Sequence, residues 1–133
     1  MNEGDKQTHF EHQNSWLACY TVLSMKELTK HWLSIAQSDY DSALYLFDGA
    51  RYPQAIYILC QSIEKILKAC QVELTESAPS KIHRLENIAK DSTLPFSQQQ
   101  YEQLTDLSKH YSRVRYPDIS QASYNTKEKV LPI

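Results

Sequence analysis

Between positions 51 and 73, apolar residues recur at steps of three and four. Ile56, Leu59, Ile63, Ile66 and Cys70 fall on one stripe of an α-helix. Ala55, Cys60 and Leu67 widen the stripe, which predicts a well-buried helix. Pro53 suits its first turn, where a missing N–H costs nothing. Gln61, Glu64 and Lys68 form a polar shoulder beside the stripe, facing either solvent or a cleft.

The same period predicts a preceding helix over 26–48, with Leu28, Trp32, Ile35, Ala36, Ala43, Leu46 and Phe47 inward. Asp39 lies on that stripe and needs a partner if buried, because an unpaired buried charge is costly. Gly49 is the expected positive-φ residue at the helix end. The short link to Tyr52 makes the two helices antiparallel neighbours. Thr75, Ser77, Pro79 and Ser80 mark a loop. A short helix over 82–90 follows, with Ile82, Leu85, Ile88 and Ala89 inward. Ser97 is the expected N-cap of a helix over 98–115, whose inward stripe is Tyr101, Leu104, Leu107, Ser108, Tyr111 and Val114. Pro117 stops it near Tyr116, and a last helix has hardly begun at Lys127 when the sequence ends. Four helices with short connections and no strand signal predict an all-α, antiparallel up-and-down bundle of four to five helices.

Composition adds exclusions. The chain of 133 residues is 41% hydrophobic and 23% charged, enough for one core. Periodicity starts at Met25, so 1–24 is expected to be an extension outside a core domain spanning 25–133, with its C-terminal helix cut short. The net charge of −2 removes a bulk drive toward nucleic acid, so such binding needs a local patch. Cys19, Cys60 and Cys70 have no metal spacing; Cys60 and Cys70 fit small buried thiols in a reducing cytoplasm. There is no membrane-length apolar run, phosphate loop, carboxylate metal cluster or nucleophile elbow, and no residue pattern calls for a cofactor.

Several groups occur in a fixed order. Trp32, Ala36, Asp39 and Ala43 come first, then Gly49-Ala50-Arg51-Tyr52-Pro53-Gln54-Ala55, then Gln61-Ser62-Ile63-Glu64-Lys65-Ile66-Leu67-Lys68-Ala69. His83-Arg84-Leu85 and Tyr111-Ser112-Arg113-Val114-Arg115-Tyr116-Pro117-Asp118 complete the set. Over 25–126 the chain resembles the HEPN family (higher eukaryotes and prokaryotes nucleotide-binding), in its branch ending in Arg-Tyr-Pro-Asp. The resemblance implies a helical bundle that forms a homodimer and binds nucleotide or RNA. It also implies a minimal nucleotidyltransferase as partner, in a two-component or toxin–antitoxin pair. Another branch of the family comprises metal-independent ribonucleases using an Arg with a His a turn or two further on. No His follows Arg51, Arg84, Arg113 or Arg115 in that way, and none occurs after His110.

Arg115 and Asp39 are both expected on inward faces, where they either pair and fix helix register or leave Arg115 as a forked clamp for phosphate. Arg113 is a surface charge or points with Lys109 toward a ligand. Glu64 and Lys68 have the spacing of an exposed i,i+4 pair; with Gln61 they could instead face Arg113 to Tyr116 across a cleft. Tyr52, Tyr57, Tyr111 and Tyr116 serve as interface residues or as base-stacking platforms. His83 caps the short helix or acts as an acid–base group; His110 is expected to be exposed. The leading expectation is a nucleotide- or RNA-binding assembly module, with Gln61, Glu64, Lys68, Arg113, Arg115 and Tyr116 at the ligand and Trp32, Asp39 and Pro117 structural. The alternatives are a ribonuclease built from Glu64, His83, Arg113 and Arg115, and a helical scaffold resembling one tetratricopeptide pair. The absence of a second copy of the 43–56 pattern counts against the scaffold.

Overall fold

A computed structural model describes residues 24–79 and 81–115. Four helices lie among these residues: α1 (Glu27–Asp48), α2 (Tyr52–Leu74), α3 (Leu85–Asp91) and α4 (Gln98–Arg113). No strand occurs among the described residues. The expectations for 1–23, for Tyr116 and Pro117 and for the last helix lie outside the described residues.

The α1–α2 seam is made of small side chains at heptad spacing. Thr29, Ala36 and Ala43 on α1 and Ala55, Ser62 and Ala69 on α2 are all buried. Residues seven apart share a helix face, so the two ladders run along one contact line and let the backbones approach closely. The Ser62 hydroxyl donates to the Ala36 carbonyl across the seam at 2.7 Å. Thr29 donates to Glu73 Oε2 at 2.6 Å and closes the far end.

The larger apolar groups lie on the other side of α2. One cluster joins Ile56 and Cys60 to Tyr111 and Val114, with Phe47, Tyr52, Tyr57 and Leu107 against it. The other joins Leu67 to Leu85, Ile88, Ala89 and Leu104, with Phe96 and Tyr101 against it. Each fully buried Ile or Leu here contributes about 1.5–3 kcal/mol. Helix α2 therefore runs through the middle, with α1 on one face and α3 and α4 on the opposite one. Of the expected inward set, Ala55, Ile56, Cys60 and Leu67 are buried, but the rest of the stripe is not. Ile66 is 43% exposed and Leu59 only half-buried, because α2 buries two faces rather than one. On α1 only Ala36 and Ala43 of the expected apolar face are buried; Leu28 and Ile35 are exposed.

Two turn expectations are corrected. Gly49 has φ −81°, and the residue in the left-handed region is Ala50, at φ 57°. The Gly49 and Ala50 N–H groups close the helix end onto the Tyr45 and Phe47 carbonyls, which moves the left-handed position one residue on. The short helix begins at Leu85 rather than at residue 82. Arg84 is extended, with φ −80° and ψ 116°, so Ile82 is 40% exposed instead of inward. Ser97 caps α4 as expected. Its side chain accepts from Gln100 N at 3.2 Å, and Gln100 Oε1 accepts from Ser97 N at 2.8 Å, a reciprocal capping box.

Candidate functional site

The polar shoulder of α2 faces neither open solvent nor an open cleft. Glu64 and Lys68 are buried, at 7% and 6% exposure, and Gln61 is half-buried. Lys68 Nζ donates to Glu64 Oε1 at 2.6 Å. The spacing is that of an exposed surface pair, but helix packing has taken the pair inside. Tyr111 Oη donates to Glu64 Oε2 at 3.3 Å, and His83 Nδ1 lies 3.1 Å from Glu64 Oε1. Lys68 Nζ also sits 5.8 Å from the Trp32 ring centroid. Glu64 thus ties α2 to α4 and to the segment before α3, while Trp32 brings α1 to the same point. Burial, first, and then the Glu64 charge raise the Tyr111 pKa, so its hydroxyl stays a donor.

Over this network opens a cleft of about 390 Å³, lined by His83 and Arg84 and by Ser108, Lys109, Tyr111, Ser112, Arg113 and Arg115 of α4 and its end. No carboxylate lines it. Arg84 Nε donates to Glu86 Oε1 at 2.9 Å and Lys109 Nζ to Asp106 Oδ1 at 3.1 Å, so two of its cations are already paired with carboxylates. Arg113 makes no ion pair among the described residues. Arg115 is fixed by Tyr111: Nε donates to the Tyr111 carbonyl at 3.1 Å, and Cζ lies 4.8 Å from the ring centroid.

The expected Asp39–Arg115 pair does not form. Asp39 is held by Lys65 of α2, beside the α1–α2 seam. The reason is topological: α1 and α4 pack on opposite faces of α2, so an inward residue on each does not meet the other. Arg115 and Val114 also line a second groove, together with Leu46 of α1 and Pro53, Gln54, Tyr57 and Ile58 of α2. His83 does not cap α3; its ring reaches back to Glu64. His110 is half-buried rather than exposed, and burial, then the neighbouring Arg113, push its pKa down. Arg113 joins Lys109 at the cleft instead of projecting away from it.

Of the six expected ligand residues, the structure brings Arg113 and Arg115 to the cleft and sets Glu64 and Lys68 beneath it. Gln61 does not line it, and Tyr116 lies outside the described residues. The Asp39 and Trp32 positions are structural in that each is held against α2. Sequence reasoning missed Arg84 and Ser108. Ser108 Oγ donates to Glu86 Oε2 at 2.6 Å and accepts from Leu85 N at 2.9 Å, satisfying the first turn of α3. Its signal was a hydroxyl on an otherwise apolar inward stripe.

The arrangement is suited to holding an anion. Guanidinium groups fork onto phosphate oxygens, and Arg113 and Arg115 line the cleft beside Arg84 and Lys109, which are each paired with a carboxylate. The His83 imidazole stands at its edge, against Glu64. Among the described residues no group of three or more His, Cys, Asp or Glu side chains could hold a metal, and no helix is long and apolar enough to cross a membrane. Comparison with curated proteins and with solved structures finds no match. The family model described as HEPN domain matches residues 29–132, which takes in all four helices from the third residue of α1 onward. Helical architecture, motif order and this match over most of the chain agree, and the chain belongs to the HEPN domain family.

Proposed function

We propose that this HEPN domain is a binding and assembly module. Two chains form a helical homodimer, each taking the phosphate of a nucleotide or RNA in its cationic cleft. The module partners a minimal nucleotidyltransferase in a two-component, toxin–antitoxin type system in the cytoplasm. What carries the reading is the cleft itself: Arg84, Lys109, Arg113 and Arg115 share one surface of a chain whose net charge is −2.

Fluorescence polarisation with a labelled oligoribonucleotide, and a melting screen with nucleotides, test it on the full chain. Arg113→Ala and Arg115→Ala are expected to weaken binding about tenfold or more, since a charge-assisted hydrogen bond contributes about 1.5–3 kcal/mol. Added salt weakens binding further. Absence of binding at low salt ends the reading. Co-expression with a nucleotidyltransferase encoded beside this chain, followed by pull-down, tests the partner.

One observation favours a second reading, a metal-independent ribonuclease. His83 lies at the cleft edge in contact with Glu64, the arrangement in which a carboxylate orients an imidazole for proton transfer. RNA cleavage in the presence of a chelator, abolished by His83→Ala, would establish it.

A further inference from the structure

Helix α1 is held chiefly through one face, the small-residue seam with α2. On one side of that seam, Leu33, Gln37 and Tyr40 of α1 and Ile66 of α2 wall a groove of about 480 Å³, with Ala36 and Ser62 in its floor. Tyr40 is 44% exposed and Ile66 43%, and Leu44, a turn beyond Tyr40, is 47% exposed. No charged residue lines this groove, and Asp41 stands beside its wall, accepting from Gln37 Nε2 at 2.9 Å. The other side of the same helix pair differs, because Asp39 is paired there with Lys65 and Lys68 lies over Trp32.

We propose that this uncharged flank is the surface on which a second copy of the chain docks, α1–α2 against α1–α2, giving a four-helix arrangement about a twofold axis. It rests on the homodimer proposed above and assigns its surface. An interface about a twofold axis sets each patch against itself, so a patch carrying one sign of charge repels its copy and an uncharged apolar one does not. The size also fits. Two helices of the length of α1 present a face of about 33 Å by 20 Å, which approaches the roughly 800 Å² per partner of a stable interface. The small side chains of the floor leave room for a ridge from the partner. Ser62 in the floor and Glu64 beneath the cleft lie on opposite sides of α2, so pairing through the flank leaves both cationic clefts open.

Size-exclusion chromatography with light scattering on the full chain decides it. The wild type is expected at the mass of two chains of 15.5 kDa. Tyr40→Glu and, separately, Leu44→Lys should weaken the dimer at least tenfold, with helical circular dichroism and oligoribonucleotide binding unchanged. A monomeric wild type overturns the homodimer itself. A wild-type dimer that both variants retain keeps the homodimer and overturns this surface. Variants that lose helicity show that the flank is covered by the chain's own residues, which also overturns it.

Discussion

His83 Nδ1 lies 3.1 Å from Glu64 Oε1, so an exposed imidazole rests on a carboxylate that the surrounding helices have buried. The same oxygen accepts Lys68 Nζ, and the other oxygen accepts Tyr111 Oη. One carboxylate therefore carries the contact between the cleft and the interior, and its loss should be felt in both places.

Glu64→Ala leaves Lys68 charged and unpaired inside the protein. Breaking a buried pair in this way costs about 3–5 kcal/mol, whereas removing both charges together is near neutral or stabilising. Urea denaturation is expected to show Glu64→Leu with Lys68→Met more stable than Glu64→Ala alone. If the double variant is the less stable, the pair is a net contributor and the desolvation argument fails here.

The left-handed residue at the α1–α2 turn is Ala50, not its glycine neighbour. A Cβ on Gly49 would meet nothing closer than the Tyr45 carbonyl at 3.5 Å, an ordinary contact. Gly49→Ala should thus stabilise by about 0.4–1 kcal/mol through the unfolded chain. Ala50→Gly removes a left-handed penalty of about 1–2 kcal/mol, against a smaller gain in unfolded-state freedom. Thermal melts of the two variants should both move upward. A fall for Gly49→Ala would place the special backbone position at the glycine after all.

Asp39 and Arg115 act independently. Asp39→Asn removes the partner of Lys65 in a largely buried pair and is expected to lower stability by about 1–3 kcal/mol. Arg115→Ala, outside that pair, gives up the hydrogen bond to the Tyr111 carbonyl and the place over its ring, and is expected to lower stability by about 0.5–1.5 kcal/mol on its own account. A double-mutant cycle by urea denaturation should return no coupling between them; a coupling above ~0.5 kcal/mol would restore the pairing that the sequence alone suggests.

Acid sensitivity should trace to Glu86. Burial raises its pKa, but the Ser108 hydroxyl, a backbone N–H and Arg84 more than offset this and hold it below the ordinary carboxylate value of 4.5. A depressed folded-state pKa means stabilisation that is present above the unfolded-state value and lost as pH falls through the folded one. Urea midpoints should therefore decline below about pH 4.5, and Glu86→Gln should flatten that decline. An unchanged slope in the variant would assign the acid limb to other carboxylates.

Cys60 tests the depth of the core. Burial, and then the Glu64 charge, push its thiol pKa up to about 12. Thiolate is the reactive form, so labelling of Cys60 at about pH 8 should proceed only through unfolding, at a rate that rises with urea. Fast labelling in the native state, located by mass spectrometry, would contradict the burial.

Helix type, order and approximate bounds were legible in the sequence, because they follow from local periods, from Ser97 and Pro53 at helix starts and from short connections. The basic end of α4 was legible too, since Arg113 and Arg115 are neighbours along the chain, although two residues apart on a helix they point to different sides and only the structure brings both to one cleft. What the sequence could not decide was which partner each polar group meets. Glu64 and Lys68 have the same spacing whether they lie on a surface or, as here, inside, and the spacing of Asp39 along α1 does not say whether Lys65 or Arg115 reaches it. Those choices depend on where α1 and α4 sit around α2, a non-local property set by the small-residue ladder on one face and the large apolar clusters on the other. Only the tertiary structure places α1 and α4 on opposite sides of α2, and that separation gives Asp39 to Lys65 and leaves Arg115 at the cleft.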